Sequence, residues 1–311
     1  MKLIFFGSSD FAIPSLDYLN KNHQIVAVVT NPDRPKGRHL DIHSTSVKVW
    51  AEKTKILTLQ PENLSEPVFI EQIKTLNPDI IILISYGGIL SQKILSIPKI
   101  GSFNLHPSLL PKYRGPAPIE WVLVNGEKKT GLTVIKMETS VDKGNIIVQE
   151  EISIDENDNY FTLKDRLMEK SSGIWEKALK MISSGFLGFP QKGQSCYAPR
   201  LKKEDGHINW MKDTYSIHNL VRGFINWPGA FSRILYANKE RILKIKQTEI
   251  EKHQGVYGHP GTLIFSDNSI KVLCGKGIIK IIKLQMEGKK EMLDKEFIHG
   301  YSKHLENSIL H

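Results

Sequence analysis

Polar side chains able to do chemistry are concentrated in one run, FNLHPSLLPKYRG at residues 103–115, which holds Asn104, His106, Ser108 and Tyr113 among apolar neighbours. An amide can donate a hydrogen bond to a developing negative charge, and an imidazole can take up or release a proton near neutral pH. Asn104 and His106 are two residues apart. On an extended segment they therefore share a face, with Phe103 and Leu105 on the other. Pro107 cannot continue the hydrogen-bond ladder, so the pair is left at a strand end. A third group, Asp142, sits in the polar loop 139–145. A carboxylate beside an imidazole selects one tautomer and stabilises the imidazolium, and an amide N–H aimed at a carbonyl oxygen stabilises an oxyanion. The set has the parts for acyl transfer without a covalent enzyme intermediate. No GxSxG nucleophile elbow is present. Spacing alone also allows a plainer reading: a hydrogen-bonded strand-end His106, a turn-forming Asn104 and an Asx turn at Asp142.

The elements that would carry these residues read as an open α/β sheet. Lys2 to Phe6 suits a strand, Gly7 to Ser9 a turn, Ile13 to Leu19 a helix and Ile25 to Thr30 a second strand. This is the opening of a doubly wound, mostly parallel Rossmann-like sheet. FGSSDFA offers a single glycine at the turn, so the dinucleotide fingerprint GxGxxG is missing and no dinucleotide is expected. Asn31 to Ser46, with two prolines, a glycine and several basic residues, predicts a long irregular loop leaving a strand's carboxyl end. Ile80 to Ser85 is apolar throughout, as in a strand covered on both faces, and ends at Tyr86-Gly87-Gly88, where glycines permit close backbone approach. Ligands bind at the carboxyl ends of strands in such sheets. Thr162 to Ser184 has the spacing of a long amphipathic helix.

The 311 residues allow two domains. Gly185 to Gln194, rich in glycine with a proline, marks a boundary: a catalytic domain is expected over 1–189, a linker over 190–205, and a second domain over 206–311. In the last, about five short alternating runs separated by turns argue for a small barrel of the OB type. Charge differs between the parts: residues 1–190 are nearly neutral, whereas 191–311 carry 20 Lys and Arg against 12 Asp and Glu, most of the formal +9. A basic module beside a neutral one suggests a polyanionic partner such as RNA, and a solvated Lys-rich surface explains the charge equally well. No apolar run reaches the length of a membrane span, and MKLIFFG is too short for a signal sequence. Cys196 and Cys274 are isolated, which argues against a disulfide framework or a zinc site and for a reducing cytoplasm.

FNLHPSLLPKYRGPAPIEW, followed by NGEKKTGLTVIKM and VDKGNI, resembles the signature of the folate-dependent formyltransferases. FFGSSDFAIPSL, NPDRPKGR, YAPRLKKEDGHINW, FINWPGAFSR and LQMEGKKEMLDKEFIHGY extend the resemblance nearly end to end, toward members of that family that act on tRNA. The resemblance implies transfer of formyl from 10-formyltetrahydrofolate, a cosubstrate, to the α-amino group of methionyl initiator tRNA, by a monomer that needs no metal. It implies that Asn104 bonds the formyl oxygen, His106 transfers a proton and Asp142 orients it. Ser108, Leu109, Leu110 and Pro111 would line the folate site, with the turn Tyr86, Gly87, Gly88, Ile89 and the loop at Thr139 closing round the pterin. Arg34, Lys36 and Arg38 would lie near the tRNA acceptor end, and Lys289 and Lys290 would contact RNA from the second domain. One departure is local: His39-Leu40-Asp41 follows Arg38 where the family usually has a basic run, leaving that loop less basic. The alternatives are a sugar-nucleotide N-formyltransferase, a formyltetrahydrofolate hydrolase, and a folate- or RNA-binding protein without catalysis.

Overall fold

The computed structural model describes residues 1–36, 41–306 and 308–311. The chain starts with strand β1 (Lys2–Gly7), a short 3-10 turn and helix α1 (Ile13–Asn22), which accepts Pro14 in its first turn because no intrahelical donor is needed there. Strand β2 (Gln24–Val29) follows. The segment after it is not wholly irregular. Strands β3 (Arg34–Lys36) and β4 (Asp41–His43) pair antiparallel, with Pro35 opposite Ile42. An isolated ribbon has two outer edges that need no donor, so a proline is tolerated where a central strand would exclude it.

Helix α2 (Ser46–Thr54) is capped by Thr45, whose hydroxyl accepts from Lys48 N–H. Short β5 (Thr58–Leu59), α3 (Pro67–Thr75), β6 (Ile80–Ile84), one-turn α4 (Gln92–Leu95) and β7 (Gly101–His106) follow. Then come α5 (Pro118–Val124), β8 (Lys129–Lys136), β9 (Ile146–Ser153) and the long α6 (Tyr160–Ser183). The strand order is β5-β2-β1-β6-β7-β8-β9. β5 through β7 are parallel, and β8 and β9 are antiparallel. The order reverses between β1 and β6, so their carboxyl ends open a crevice. Phe6, Ile81, Ile73 and Tyr86 are among the side chains of the core on one face of the central strands.

The remaining chain builds α7 (Thr214–Gly223), β10 (Ala230–Tyr236), the long β11 (Lys239–Lys252), β12 (Leu263–Ser266), β13 (Ser269–Leu273), β14 (Ile278–Met286), β15 (Met292–Leu293) and α8 (Asp294–Leu305). Its sheet is antiparallel in the order β10-β11-β14-β13-β12, an OB-like half-barrel. Register shifts in β11 near Gln247 and Ile250 bend the sheet. Its core holds Ile234, Leu243, Ile279 and Ile281 together with Phe297 of α8. No unbroken apolar periodicity in the sequence marks α8, since charges interrupt it.

Two compact units result. The first comprises residues 1–118, 129–153 and 164–198, and the second 119–128, 154–163 and 199–311. Residues 190–198, expected at the start of a linker, thus lie in the first unit. Among the described residues no helix is long and apolar enough to cross a membrane.

Candidate active site

β7 places Asn104 and His106 on one face at its carboxyl end, both buried. The loop after β8 folds back so that Asp142 faces both. Asn104 Nδ2 donates to Asp142 Oδ1 at 3.4 Å, and His106 Nδ1 lies 3.7 Å from Asp142 Oδ2. The other imidazole nitrogen, Nε2, lies 2.7 Å from Tyr113 O. A carbonyl oxygen only accepts, so Nε2 carries the proton and the neutral ring presents its Nδ1 lone pair toward Asp142.

Two glycines make this approach possible. Gly115 N–H donates to Asp142 Oδ2 at 2.8 Å, and its φ of +112° is one that side chains rarely adopt. A Cβ at Gly144 would stand 1.7 Å from Lys136 O, so the loop can fold against β8 only with glycine there. Asp142 itself has φ +55°, a left-handed conformation that costs of order 1–3 kcal/mol for a non-glycine residue and persists only where neighbours enforce it.

The loop SLLPKYRG is tied down by its own polar groups. Ser108 Oγ donates to Lys112 O at 2.7 Å, Thr133 Oγ1 donates to Ser108 O at 2.6 Å, and Leu110 N–H donates to Thr133 Oγ1 at 3.3 Å. Gln149 Nε2 donates to both Leu110 O and Thr133 Oγ1, at 3.0 and 2.9 Å. Ser108, Leu110 and Pro111 are buried and Leu109 is half-buried. None of the four lines the cleft beside Asn104. Of their side chains, that of Ser108 holds the loop, through its bond to Lys112 O.

That cleft is walled instead by Gly88, Ile89, Met137, Thr139 and Val141, with Asn104 and Asp142 at its polar end. Ile89 and Val141, both lining this cleft, are large apolar side chains 71 and 51 % exposed. Gly87, at φ +83°, turns the chain into the wall. Tyr86 does not face the cleft: it is buried edge-on against Phe6 at 5.3 Å, and burial pushes its hydroxyl up to about 12. Its carbonyl accepts from Asn31 Nδ2 at 3.0 Å, which anchors the glycine turn to the end of β2.

The residues expected at RNA are placed as follows. Arg34 is exposed and pairs with Glu62 at 2.5 Å, Lys36 ends β3, and Arg38 lies outside the described residues. Lys289 and Lys290 are exposed in the turn between β14 and β15, where Gln285 Nε2 donates to Lys289 O at 2.8 Å. Among the described residues no group of three or more His, Cys, Asp or Glu side chains could hold a metal.

Sequence reasoning missed Thr133, Gln149 and Gln191, all of which brace the site. Thr133 and Gln149 occupy ordinary positions in alternating strands, and nothing in their local pattern marks them. Gly144, two residues after Asp142, was a legible signal of close backbone packing.

The family model described as formyl transferase matches residues 1–179, and that described as formyl transferase, C-terminal domain, matches 200–302. Fold and sequence together therefore define a formyl transferase. A protein of Thermodesulfovibrio yellowstonii named methionyl-tRNA formyltransferase is 42 % identical over 300 residues, covering 96 % of this chain and 95 % of that one. A relative of the same name from Clostridium botulinum is 40 % identical over 97 % of both. The chain belongs to the methionyl-tRNA formyltransferase family. In fold it is similar to an N-formyltransferase of Helicobacter canadensis solved with folinic acid and dTDP-3-aminofucose, with a TM-score of 0.68, 23 % identity and coverage of 90 % of this chain and 98 % of the other.

Proposed function

We propose that this enzyme transfers the formyl group of 10-formyltetrahydrofolate to the α-amino group of methionine esterified to initiator tRNA, giving N-formylmethionyl-tRNA for translation initiation. The observation that carries the reading is the convergence of Asn104 and His106 on Asp142 at the polar end of an apolar cleft, in a chain 42 % identical to a named relative over nearly its whole length. The folate is a substrate consumed in each turnover. The apolar lining by Ile89 and Val141, beside the polar Asn104 and Asp142, suits one face of a flat heteroaromatic ring.

The amine attacks the formyl carbon, a C–N bond to methionine forms, the C–N bond to the folate breaks, the amine gives up a proton and the departing folate nitrogen takes one up, giving tetrahydrofolate. Asn104 is assigned the developing negative charge on the formyl oxygen, using an amide N–H held at the cleft. His106 is assigned the proton, through Nδ1, the nitrogen left with a lone pair by the bond to Tyr113. Asp142 holds the ring's charge once it is protonated. Much of the acceleration would come from holding amine and formyl group together.

We further assign residues 1–189 to catalysis, 190–205 to a connecting segment and 206–311 to tRNA binding, the last on its excess of basic residues. Arg34, Lys36, Arg38, Lys289 and Lys290 are the assigned RNA contacts. The test is transfer of labelled formyl to methionyl initiator tRNA by the wild type and by His106→Ala, with an amino-sugar nucleotide offered in parallel. Rapid transfer to the tRNA, lost in the variant, supports the reading. Transfer to the sugar alone would overturn the acceptor, and formate release without an acceptor would overturn transfer.

A further inference from the structure

We infer that Gln191 is a positioning residue for formyl transfer, which holds the Asp142 loop where His106 and Asn104 can use it. The inference rests on the roles proposed above for those three side chains. Gln191 Nε2 donates to Asp142 O at 2.8 Å and to Gly144 O at 2.9 Å. Gln191 Oε1 accepts from Arg114 Nε at 3.1 Å and from Arg114 Nη2 at 2.6 Å.

An amide has two N–H donors and two oxygen lone pairs, so this set uses its whole capacity. The orientation is therefore fixed. Rotating the amide by half a turn would set Oε1 against two carbonyl oxygens and Nε2 against a guanidinium, losing every bond at once. Gln191 thereby ties the loop that carries Asp142 to Arg114, which belongs to the loop following His106. Asp142, at φ +55°, sits in a turn closed by Lys143 N–H to Ser140 O at 3.2 Å, and Gln191 holds that turn from outside.

The same segment braces the histidine from its other side. Arg114 N–H donates to Cys196 O at 3.1 Å, Ala198 N–H donates to Arg114 O at 2.7 Å, and Tyr113 N–H donates to Cys196 Sγ at 3.2 Å. Tyr113 O in turn accepts from His106 Nε2. Residues 191–198 thus reach both partners of the imidazole–carboxylate pair, and Gln191 is the side chain that acts on the carboxylate.

Two variants separate positioning from folding. Gln191→Ala removes all four bonds. Gln191→Glu keeps the shape and adds a charge pair with Arg114, but turns a carboxylate oxygen toward the carbonyls of Asp142 and Gly144. Both are expected to lose about 100-fold in kcat, as displacements near 1 Å do, with KM for 10-formyltetrahydrofolate within about threefold of wild type. Gln191→Glu is expected to keep the thermal midpoint of the wild type. A second readout needs no turnover: the NMR resonance of the Asn104 side-chain amide, assigned by its absence in Asn104→Ala, should move in Gln191→Glu, because it reports the contact with Asp142. Wild-type kcat in either variant, or lost kcat in Gln191→Glu with an unmoved Asn104 resonance, overturns the inference. Should the wild type transfer no formyl, the proposed function fails by itself, and the Asn104 resonance still decides whether Gln191 positions the loop.

Discussion

Replacing Gly144 with Ala tests the placement of Asp142 without touching any side chain assigned to chemistry. The new methyl carbon would lie 1.7 Å from Lys136 O and 2.9 Å from Lys136 C, whereas ordinary contact begins at 3.4 Å. Both obstacles are backbone, so neither can swing aside, and the loop must retreat from β8 by about 1.7 Å. Two hydrogen bonds span that gap or lean on it: Lys136 N–H to Asn145 O at 2.9 Å, and Gln191 Nε2 to Gly144 O. At about 1 kcal/mol each, their loss lowers stability by about 2 kcal/mol. That corresponds to a midpoint lower by about 4–8 °C in a unit of this size. Asp142 lies two residues upstream, and a retreat of even about 1 Å takes its oxygens out of reach of Asn104 and His106. The expected loss in kcat is about 100-fold, or about 2.7 kcal/mol in the barrier. Single-turnover transfer at saturating formyl donor and charged tRNA measures it. Gly173→Ala is the control, since its Cβ would meet nothing within 4 Å on helix α6; it should leave kcat unchanged and add up to about 1 kcal/mol of stability. A folded Gly144→Ala enzyme with kcat within threefold of wild type would refute the role given to Asp142.

Asn104→Ala should lower kcat by about 100- to 1000-fold with little change in KM for the folate; a change in KM alone would place the amide in ground-state binding instead. Burial pushes the Glu120 carboxyl up to about 7. Below its ordinary value of 4.5 both folded and unfolded chains hold the proton; between 4.5 and about 7 only the folded chain does, so its contribution to stability falls as pH rises and is fully lost above about 7. The full effect would be about 3 kcal/mol, and the partial exposure of the side chain reduces it to about 1–2. Glu120→Gln should therefore stabilise the protein in urea at about pH 8 and leave it unchanged near pH 4; equal gains at both would show that charge is not the cause. Replacing Lys289 and Lys290 together with Ala should weaken tRNA use and flatten its salt dependence, while folate KM stays constant. Identical kinetics at several salt concentrations would remove those lysines from the RNA surface.

Local pattern determined much of this protein. Alternation in GSFNLH put Asn104 and His106 on one strand face, the apolar run IIILI made a central strand, and short alternating runs after residue 230 made an antiparallel half-barrel. Each is a property of neighbours in the chain, where period and burial coincide. The ribbon β3–β4 escaped because prolines and basic residues carry no strand pattern, and its pairing satisfies a backbone whose outer edges need no partner. Helix α8 escaped because charges interrupt its apolar spacing, and it is held by packing Phe297 and Leu305 into the half-barrel core.

What the tertiary structure alone decided is the alignment of the site. Asp142 meets Asn104 and His106 across 38 and 36 residues of chain, and which histidine nitrogen holds the proton follows from a carbonyl seven residues on. The motif marks Ser108 to Pro111, and only the tertiary structure shows how that loop is braced, with Ser108 Oγ bonded to Lys112 O and Thr133 Oγ1 bonded to Ser108 O. Gln191 had no sequence signal at all. Its importance comes from two loops, distant in the chain, arriving at donor and acceptor distance from one amide, and only the folded backbone brings them there.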